Sequence, residues 1–224
     1  MNPINFIFGF LPSILWLSFY LREDVKPEPK KLILIVFTLG FISTLPALFF
    51  EYLALHFISI FNLSENIFNF LKFFFAVALI EEFFKFFVVA IFIFDNPEFE
   101  EAVDGMIYMI TSGLGFAAAE NLLISLKIVS LPEVLEVSIL RFLGATFVHA
   151  LSCGIFGYFL ARYYFKTKRK IQLLFGLISA TILHGIYNFS IISIKMTWQI
   201  IFPVFILLFS FVLVSFLFKR LKEN

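Results

Sequence analysis

The sequence predicts an all-α, polytopic membrane protein with about seven transmembrane helices in one bundle. Of its 224 residues, 61% are hydrophobic and only 15% are charged, and its mean hydropathy is +0.99. Soluble domains average about half apolar and about a quarter charged residues, so a water-soluble globular protein and a disordered chain are both excluded. The 36 phenylalanines exceed what one core can hold, so most are expected to face lipid. A net charge of +1 provides no field that would gather nucleic acid.

Seven apolar stretches are each long enough to cross a bilayer, which takes roughly 20 residues. They cover residues 4–21, 32–60, 67–94, 104–126, 134–163, 171–194 and 198–218. The first lacks a basic start and a small-residue cleavage site, so we expect a retained helix rather than a signal peptide. Because no linker or repeat divides the chain, residues 1–224 are expected to form a single membrane domain. The polar motifs described below lie in a core of about 66–194.

Basic residues in short loops predict the orientation of a membrane protein. They form three clusters, between the first and second spans, between the fifth and sixth, and after the seventh: Arg22, Lys26, Lys30, Lys31; Arg162, Lys166, Lys168, Arg169, Lys170; and Lys219, Arg220, Lys222. An odd number of spans places all three clusters on one side, so we expect the N-terminus outside and the C-terminus in the cytoplasm. Arg141, near the outer end of the fifth span, is expected to extend its guanidinium toward the membrane surface.

The third span contains three ionisable residues, Glu81, Glu82 and Lys85. An ionised side chain at mid-bilayer costs at least about 2.5–3.5 kcal/mol, so such residues persist when they are paired, hydrated or used. Lys85 follows Glu81 by four residues and Glu82 by three, so on a helix it reaches either carboxylate. Two acids with one base leave an excess negative charge or a retained proton. That excess favours a function beyond holding two helices together.

Three further spans carry polar residues. Glu120 and Asn121 lie in the fourth span, His149 in the fifth, and His184 and Asn188 in the sixth. At about 1.5 Å per residue, both histidines lie at the level of the third span's acids, near mid-bilayer. Glu120 lies roughly 7–8 Å further outward. The sequence therefore predicts one polar site shared by four helices.

Glutamate and histidine at one depth suit two chemistries. The first is hydrolysis, in which a carboxylate, or a metal held by histidine and glutamate, activates water. A catalytic zinc site takes three protein ligands and keeps one open position, and here it would draw on Glu82, Glu120, His149 and His184. The second is transport, because chains of glutamate and histidine carry protons or cations through membranes. A non-catalytic membrane scaffold is a third interpretation.

At these residues the chain resembles the PrsW family of intramembrane proteases, which belongs to the superfamily of CAAX prenyl endopeptidases and Abi/CPBP proteins. The matching motifs, in family order, are Glu81-Glu82-x-x-Lys85, Asp104-Gly105-x-x-Tyr108, Phe116-x-x-x-Glu120-Asn121, His149 with Gly157 downstream, and His184-x-x-x-Asn188. The resemblance implies cleavage of membrane-anchored proteins, anti-sigma factors among them. It also implies a place in the cell (inner) membrane of a bacterium or archaeon.

The resemblance also implies a set of site residues. The expected catalytic residues are Glu81, Glu82, Glu120, His149 and His184, supported by Lys85, Asn121 and Asn188. Glu120 stands where the CAAX endopeptidase branch has histidine, so that branch's mechanism does not transfer directly. The family is labelled metalloprotease, which implies a metal such as zinc. In a metal-free alternative, one of the paired glutamates and His149 activate water while His184 and Asn188 stabilise the oxyanion.

Overall fold

The computed structural model describes residues 3–24, 26–193 and 198–223, which form helices and no strand. The helices are α1 (Pro3–Tyr20), α2 (Lys30–Ser59), α3 (Glu65–Leu71), α4 (Leu79–Phe92), α5 (Ala102–Ser125), α6 (Leu131–Leu143), α7 (Ala145–Ala161), α8 (Ile171–Ser193) and α9 (Trp198–Lys222). A π-helical segment, Lys72–Ala78, joins α3 to α4, and another, Arg162–Thr167, extends α7. The all-α fold class is confirmed.

Five helical segments are long and apolar enough to cross a membrane, so the chain is a multi-pass membrane protein. They are Lys30–Ser59, Ala102–Ser125, Leu131–Thr167, Ile171–Ile192 and Ile200–Lys222. Helix α1 is apolar but shorter, and the helical stretch 65–92 is interrupted by its π-helical segment. These two elements account for the difference from the expected number of about seven.

The fifth expected span, 134–163, lies within the segment Leu131–Thr167, which consists of two consecutive helices rather than one continuous helix. The helical conformation is interrupted at Gly144, whose backbone dihedral angles (φ −118°, ψ −92°) are not helical and separate α6 from α7. A Cβ atom on Gly144 would lie 2.2 Å from the hydroxyl of Tyr187 on α8, so a side chain there would collide with α8. Apolar residues continue through the break, which is why hydropathy alone did not reveal it. Helix α6 packs against α1, α5 and α7.

Helix α5 is the central helix of the bundle and packs most extensively against α7, α2 and α1. The α5–α7 contact depends on small residues, which let two helix backbones approach closely. A Cβ atom on Gly157 would lie 2.5 Å from the carbonyl oxygen of Gly105, and one on Gly113 would lie 2.4 Å from the Sγ atom of Cys153. Gly105 meets Gly157, whereas Gly113, further along α5, meets Cys153, which comes earlier in α7. The two helices therefore run antiparallel. The last turns of α5 therefore lie beside the first turns of α7.

The three basic clusters lie at one end of the bundle. Three contacts connect the loops and helix ends there: Lys222 Nζ to Glu23 Oε2 at 2.8 Å, Lys26 Nζ to Glu101 Oε1 at 3.0 Å, and the Tyr164 hydroxyl to the Phe94 carbonyl oxygen at 2.8 Å. Helix α5 begins at this end, at Ala102. The opposite end of the bundle therefore holds the last turns of α5.

Candidate active site

Lys85 on α4 connects three polar side chains through one ammonium group. Its Nζ atom lies 3.1 Å from Glu81 Oε2, 2.8 Å from Glu82 Oε1 and 2.7 Å from His149 Nδ1. The two contacts within α4 follow from helical spacing, whereas the histidine comes from α7. The ammonium also lies 4.6 Å from the centre of the Phe116 ring, a favourable cation–π distance.

The two adjacent glutamates have different hydrogen-bonding environments. Glu82 Oε1 accepts a hydrogen bond from Lys85, a second from the Ser152 hydroxyl at 3.0 Å, and lies 3.0 Å from His184 Nδ1. Among the described residues, Lys85 is the single donor within hydrogen-bond distance of the Glu81 carboxylate. The nearest imidazole nitrogens lie 3.8 and 3.9 Å from its Oε2 atom. Glu81 therefore keeps acceptor capacity that Glu82 has used.

On the other side of the His149 ring from Lys85, the site continues with an ion pair between Glu120 and Arg141. Glu120 Oε2 lies 3.0 Å from His149 Nε2 and 3.0 Å from Arg141 Nη2. The Arg141 Nε–H also donates to the Asn121 side-chain oxygen, and the Asn121 amide donates to the Thr146 hydroxyl at 3.0 Å. Beyond the extension toward the membrane surface that the sequence suggested, Arg141 has an acid and an amide of α5 as partners. An ionised acid is available inside the bundle, and an ion pair with it offsets the cost of a charge there.

Burial is uneven across this group of residues. The side chains of Glu81, Glu82 and Lys85 are 0–3% exposed. Glu120 and Arg141 are 24% and 18% exposed. Glu120 and Arg141 are therefore the more exposed members of the group, and they lie at the end of the bundle away from the basic clusters.

The structure brings all five expected catalytic residues into one connected group, in which the His149 and His184 rings lie 4.8 Å apart. Asn121 supports this group through Arg141 and Thr146. Asn188 lies one turn beyond His184, is half-buried, and makes no side-chain hydrogen bond with the part of the chain that the structure describes. The sequence analysis did not assign a role to Ser152. Its position three residues after His149, on the same helix face, was the available signal.

Glu81, His149 and His184 are placed so that they could hold a metal ion, because their ligand atoms lie within 4.8 Å of one another. Two histidines and one glutamate form a common catalytic zinc set, with a fourth position for water. The expected set contained Glu82 and Glu120 instead of Glu81. The Glu82 carboxylate already accepts hydrogen bonds from other side chains, such as the Ser152 hydroxyl. Glu120 contacts the Nε2 atom of His149, on the side of the ring opposite Glu81, which leaves the Nδ1 atom for a metal. A carboxylate at the ring nitrogen that does not bind the metal is typical of metal-bound histidine.

The Lys85 ammonium contacts two of these three groups, Glu81 and His149. The residue types fit a divalent metal, but a metal ion and the ammonium would compete for the same two atoms. The structure thus contains one cation, Lys85, at the donors that a metal would use.

A buried glutamate–histidine site within a bundle of membrane helices is compatible with an intramembrane protease, and the family comparison decides among the classes. Residues 28–216 match the family described as "PrsW family intramembrane metalloprotease". The chain belongs to this family and is an intramembrane protease, as the motifs predicted.

Three relatives with the name Protease PrsW align along most of the chain. The protein of Oceanobacillus iheyensis is 33% identical over 217 residues, covering 96% of this chain and 95% of the relative. That of Geobacillus kaustophilus is 33% identical over 202 residues, covering 89% and 84%. That of Bacillus subtilis is 29% identical over 208 residues, covering 91% and 89%. No solved structure matches the chain significantly.

Proposed function

We propose that Glu81, Glu82, Glu120, His149 and His184 are the catalytic residues with which this protease hydrolyses a peptide bond of a membrane-anchored protein. The observation that carries the proposal is their connection through buried hydrogen bonds that run from Glu120 to His184. Most of these side chains are buried in an apolar bundle, where a charged or polar group that serves no role is costly.

Glu81 is the general base in this proposal. A base needs acceptor capacity for the proton of water, and among the described residues Glu81 has one hydrogen-bond donor where Glu82 has four. His149 Nδ1 lies 3.8 Å from the Glu81 carboxylate, and both groups contact the Lys85 ammonium, so His149 acts with Glu81 by holding this ammonium beside the water.

The Asn188 amide donates to the oxyanion that forms on the substrate carbonyl. His184 joins it through the Nε2–H of an imidazolium whose Nδ1–H stays on Glu82. The Asn188 amide is suited to this role because no described residue accepts its hydrogen bonds.

Glu81, His149 and His184 would also hold a metal such as zinc. When bound, such a metal supplies Lewis-acid activation of water and of the substrate carbonyl. Metal analysis of the purified protein, with activity measured after chelation, separates the two mechanisms. Loss of activity that added zinc restores supports the metal site, whereas full activity in metal-depleted protein supports the metal-free mechanism.

The substrate in this proposal is a single-span membrane protein resembling an anti-sigma factor, cut near the outer boundary of the membrane. The support is that the most exposed members of the site, Glu120 and Arg141, lie at the end of the bundle opposite the basic clusters. Basic clusters favour the cytoplasmic side, so the N-terminus lies outside. A cysteine replacing Lys168 should therefore be labelled from the cytoplasm, and the native Cys153 is fully buried and should stay unlabelled. Mass spectrometry of the cleaved substrate locates the cut.

The catalytic assignment is tested with purified protein in detergent and single-span substrates. Replacing Glu81 with glutamine should lower the cleavage rate by about 10²–10⁴-fold, the usual contribution of a general base. Glu133→Gln, an exposed acid on α6, is the matched control and should leave the rate unchanged. A Glu81→Gln variant as active as this control would exclude Glu81 as the base.

A further inference from the structure

Arg141 lies outside all five family motifs, yet it is bonded to two motif residues, Glu120 and Asn121. We propose that Arg141 is a positioning residue: it anchors Glu120, and Glu120 in turn fixes the orientation and tautomer of the His149 ring. This inference rests on the proposed catalytic site, in which His149 holds the Lys85 ammonium beside Glu81.

The first step concerns Glu120. Its Oε2 atom lies 3.0 Å from Arg141 Nη2, and a carboxylate paired with a guanidinium is ionised. An ionised carboxylate only accepts hydrogen bonds. The same oxygen lies 3.0 Å from His149 Nε2, so this nitrogen carries the proton and donates it.

The second step concerns the other side of the ring. His149 Nδ1 lies 2.7 Å from Lys85 Nζ, and an ammonium group has donors but no acceptor. Nδ1 must therefore present its lone pair. The two sides require the same neutral tautomer, with the proton on Nε2 and the lone pair directed toward Lys85. A ring turned by half a rotation would present carbon atoms to both partners and would lose both bonds.

The third step concerns what keeps Glu120 in place. Its carboxylate is 24% exposed, so with the His149 hydrogen bond as its one remaining partner among the described residues it would be free to turn away from the ring. Arg141 prevents this, and the guanidinium is itself held by Asn121, which bonds to Thr146 on the first turn of α7. The break at Gly144, three residues after Arg141, allows α6 to present the guanidinium to the ends of α5 and α7.

The experiment combines a spectroscopic and a kinetic measurement on the full-length protein. The chain has 3 histidines, so nitrogen NMR of isotope-labelled histidine gives few signals, and His149 is assigned by its loss in His149→Gln. The unmodified protein should show a protected Nε2–H proton for His149. In Arg141→Met this proton should exchange rapidly with water, while Arg162→Met, an arginine at the opposite end of α7, should leave it unchanged.

The kinetic measurement asks whether Arg141 acts through Glu120. Arg141→Met should lower kcat by about 10–100-fold with little change in KM, the usual effect of losing the partner of a site histidine. Arg141→Lys should restore part of this loss, because an ammonium still pairs with the carboxylate. The double variant with Glu120→Gln should lose no more activity than Glu120→Gln alone, because residues that act as one unit are not additive.

The two proposals fail in different ways. An unchanged His149 Nε2–H signal in Arg141→Met overturns the positioning role, whatever the activity. Additive losses in the double variant overturn it as well, since they would show that Arg141 acts independently of Glu120. Undiminished cleavage by Glu81→Gln would instead contradict the proposed catalytic site.

Discussion

Replacing Lys85 with methionine should destabilise the bundle by about 3–5 kcal/mol, the cost of removing one partner from a buried ion pair. The ammonium is fully buried and contacts two carboxylates and an imidazole nitrogen. After the substitution, Glu82 keeps three of its four donors among the described residues, Ser152, Cys153 and His184. We therefore expect a loss near the lower end of this range.

The structure also predicts which second substitution restores stability. Without Lys85, Glu82 still contacts Ser152 and His184, whereas Glu81 loses the one donor within hydrogen-bond distance among the described residues. Neutralising Glu81 should therefore recover more than neutralising Glu82. We expect a coupling of about 1–3 kcal/mol between Lys85→Met and Glu81→Gln, within the range for residues in direct contact.

The assay is reversible unfolding in mixed detergent and dodecyl sulfate micelles, followed by circular dichroism. Lys72→Met is the matched control, because Lys72 lies in the same helical stretch and contacts the Phe73 ring rather than an acid. Equal unfolding midpoints for Lys85→Met and Lys72→Met would refute the reasoning. Equal recovery by Glu81→Gln and Glu82→Gln would refute the asymmetry between the two acids.

Two further predictions concern packing and pH. Gly157→Ala should destabilise the bundle by about 1–3 kcal/mol in the same assay, because the added Cβ would meet the Gly105 backbone. Gly154→Ala should cost less, since its nearest obstacle is a side chain that can move. Burial and nearby acids raise the pKa of Glu28, which accepts a hydrogen bond from the Tyr108 hydroxyl, from 4.5 to about 8. Between pH 4.5 and about 8 the Glu28 carboxyl holds a proton in the folded state that it loses in the unfolded state. Stability should therefore fall as pH rises through this range, and Glu28→Gln should reduce this slope.

The sequence by itself determined the fold class and much of the candidate site, because those features depend on short-range order. Hydropathy over about 20 residues identifies membrane helices without reference to their neighbours. The contacts of Lys85 with Glu81 and Glu82 follow from spacings of three and four residues on one helix. Depth along each helix then placed His149 and His184 at one level.

The tertiary structure decided the partners that come from different helices. Arg141 reaches its partners on α5 because the break at Gly144 sets α6 against α5 and α7, and the apolar run around that glycine conceals the break. Glu81 and Glu82 are adjacent and chemically identical, and among the described residues they are distinguished by Ser152, Cys153 and His184, which come from two other helices. The physical reason is that helical periodicity assigns each residue to a face of its own helix. Which faces meet depends on close packing among distant segments, here on glycine contacts between α5 and α7.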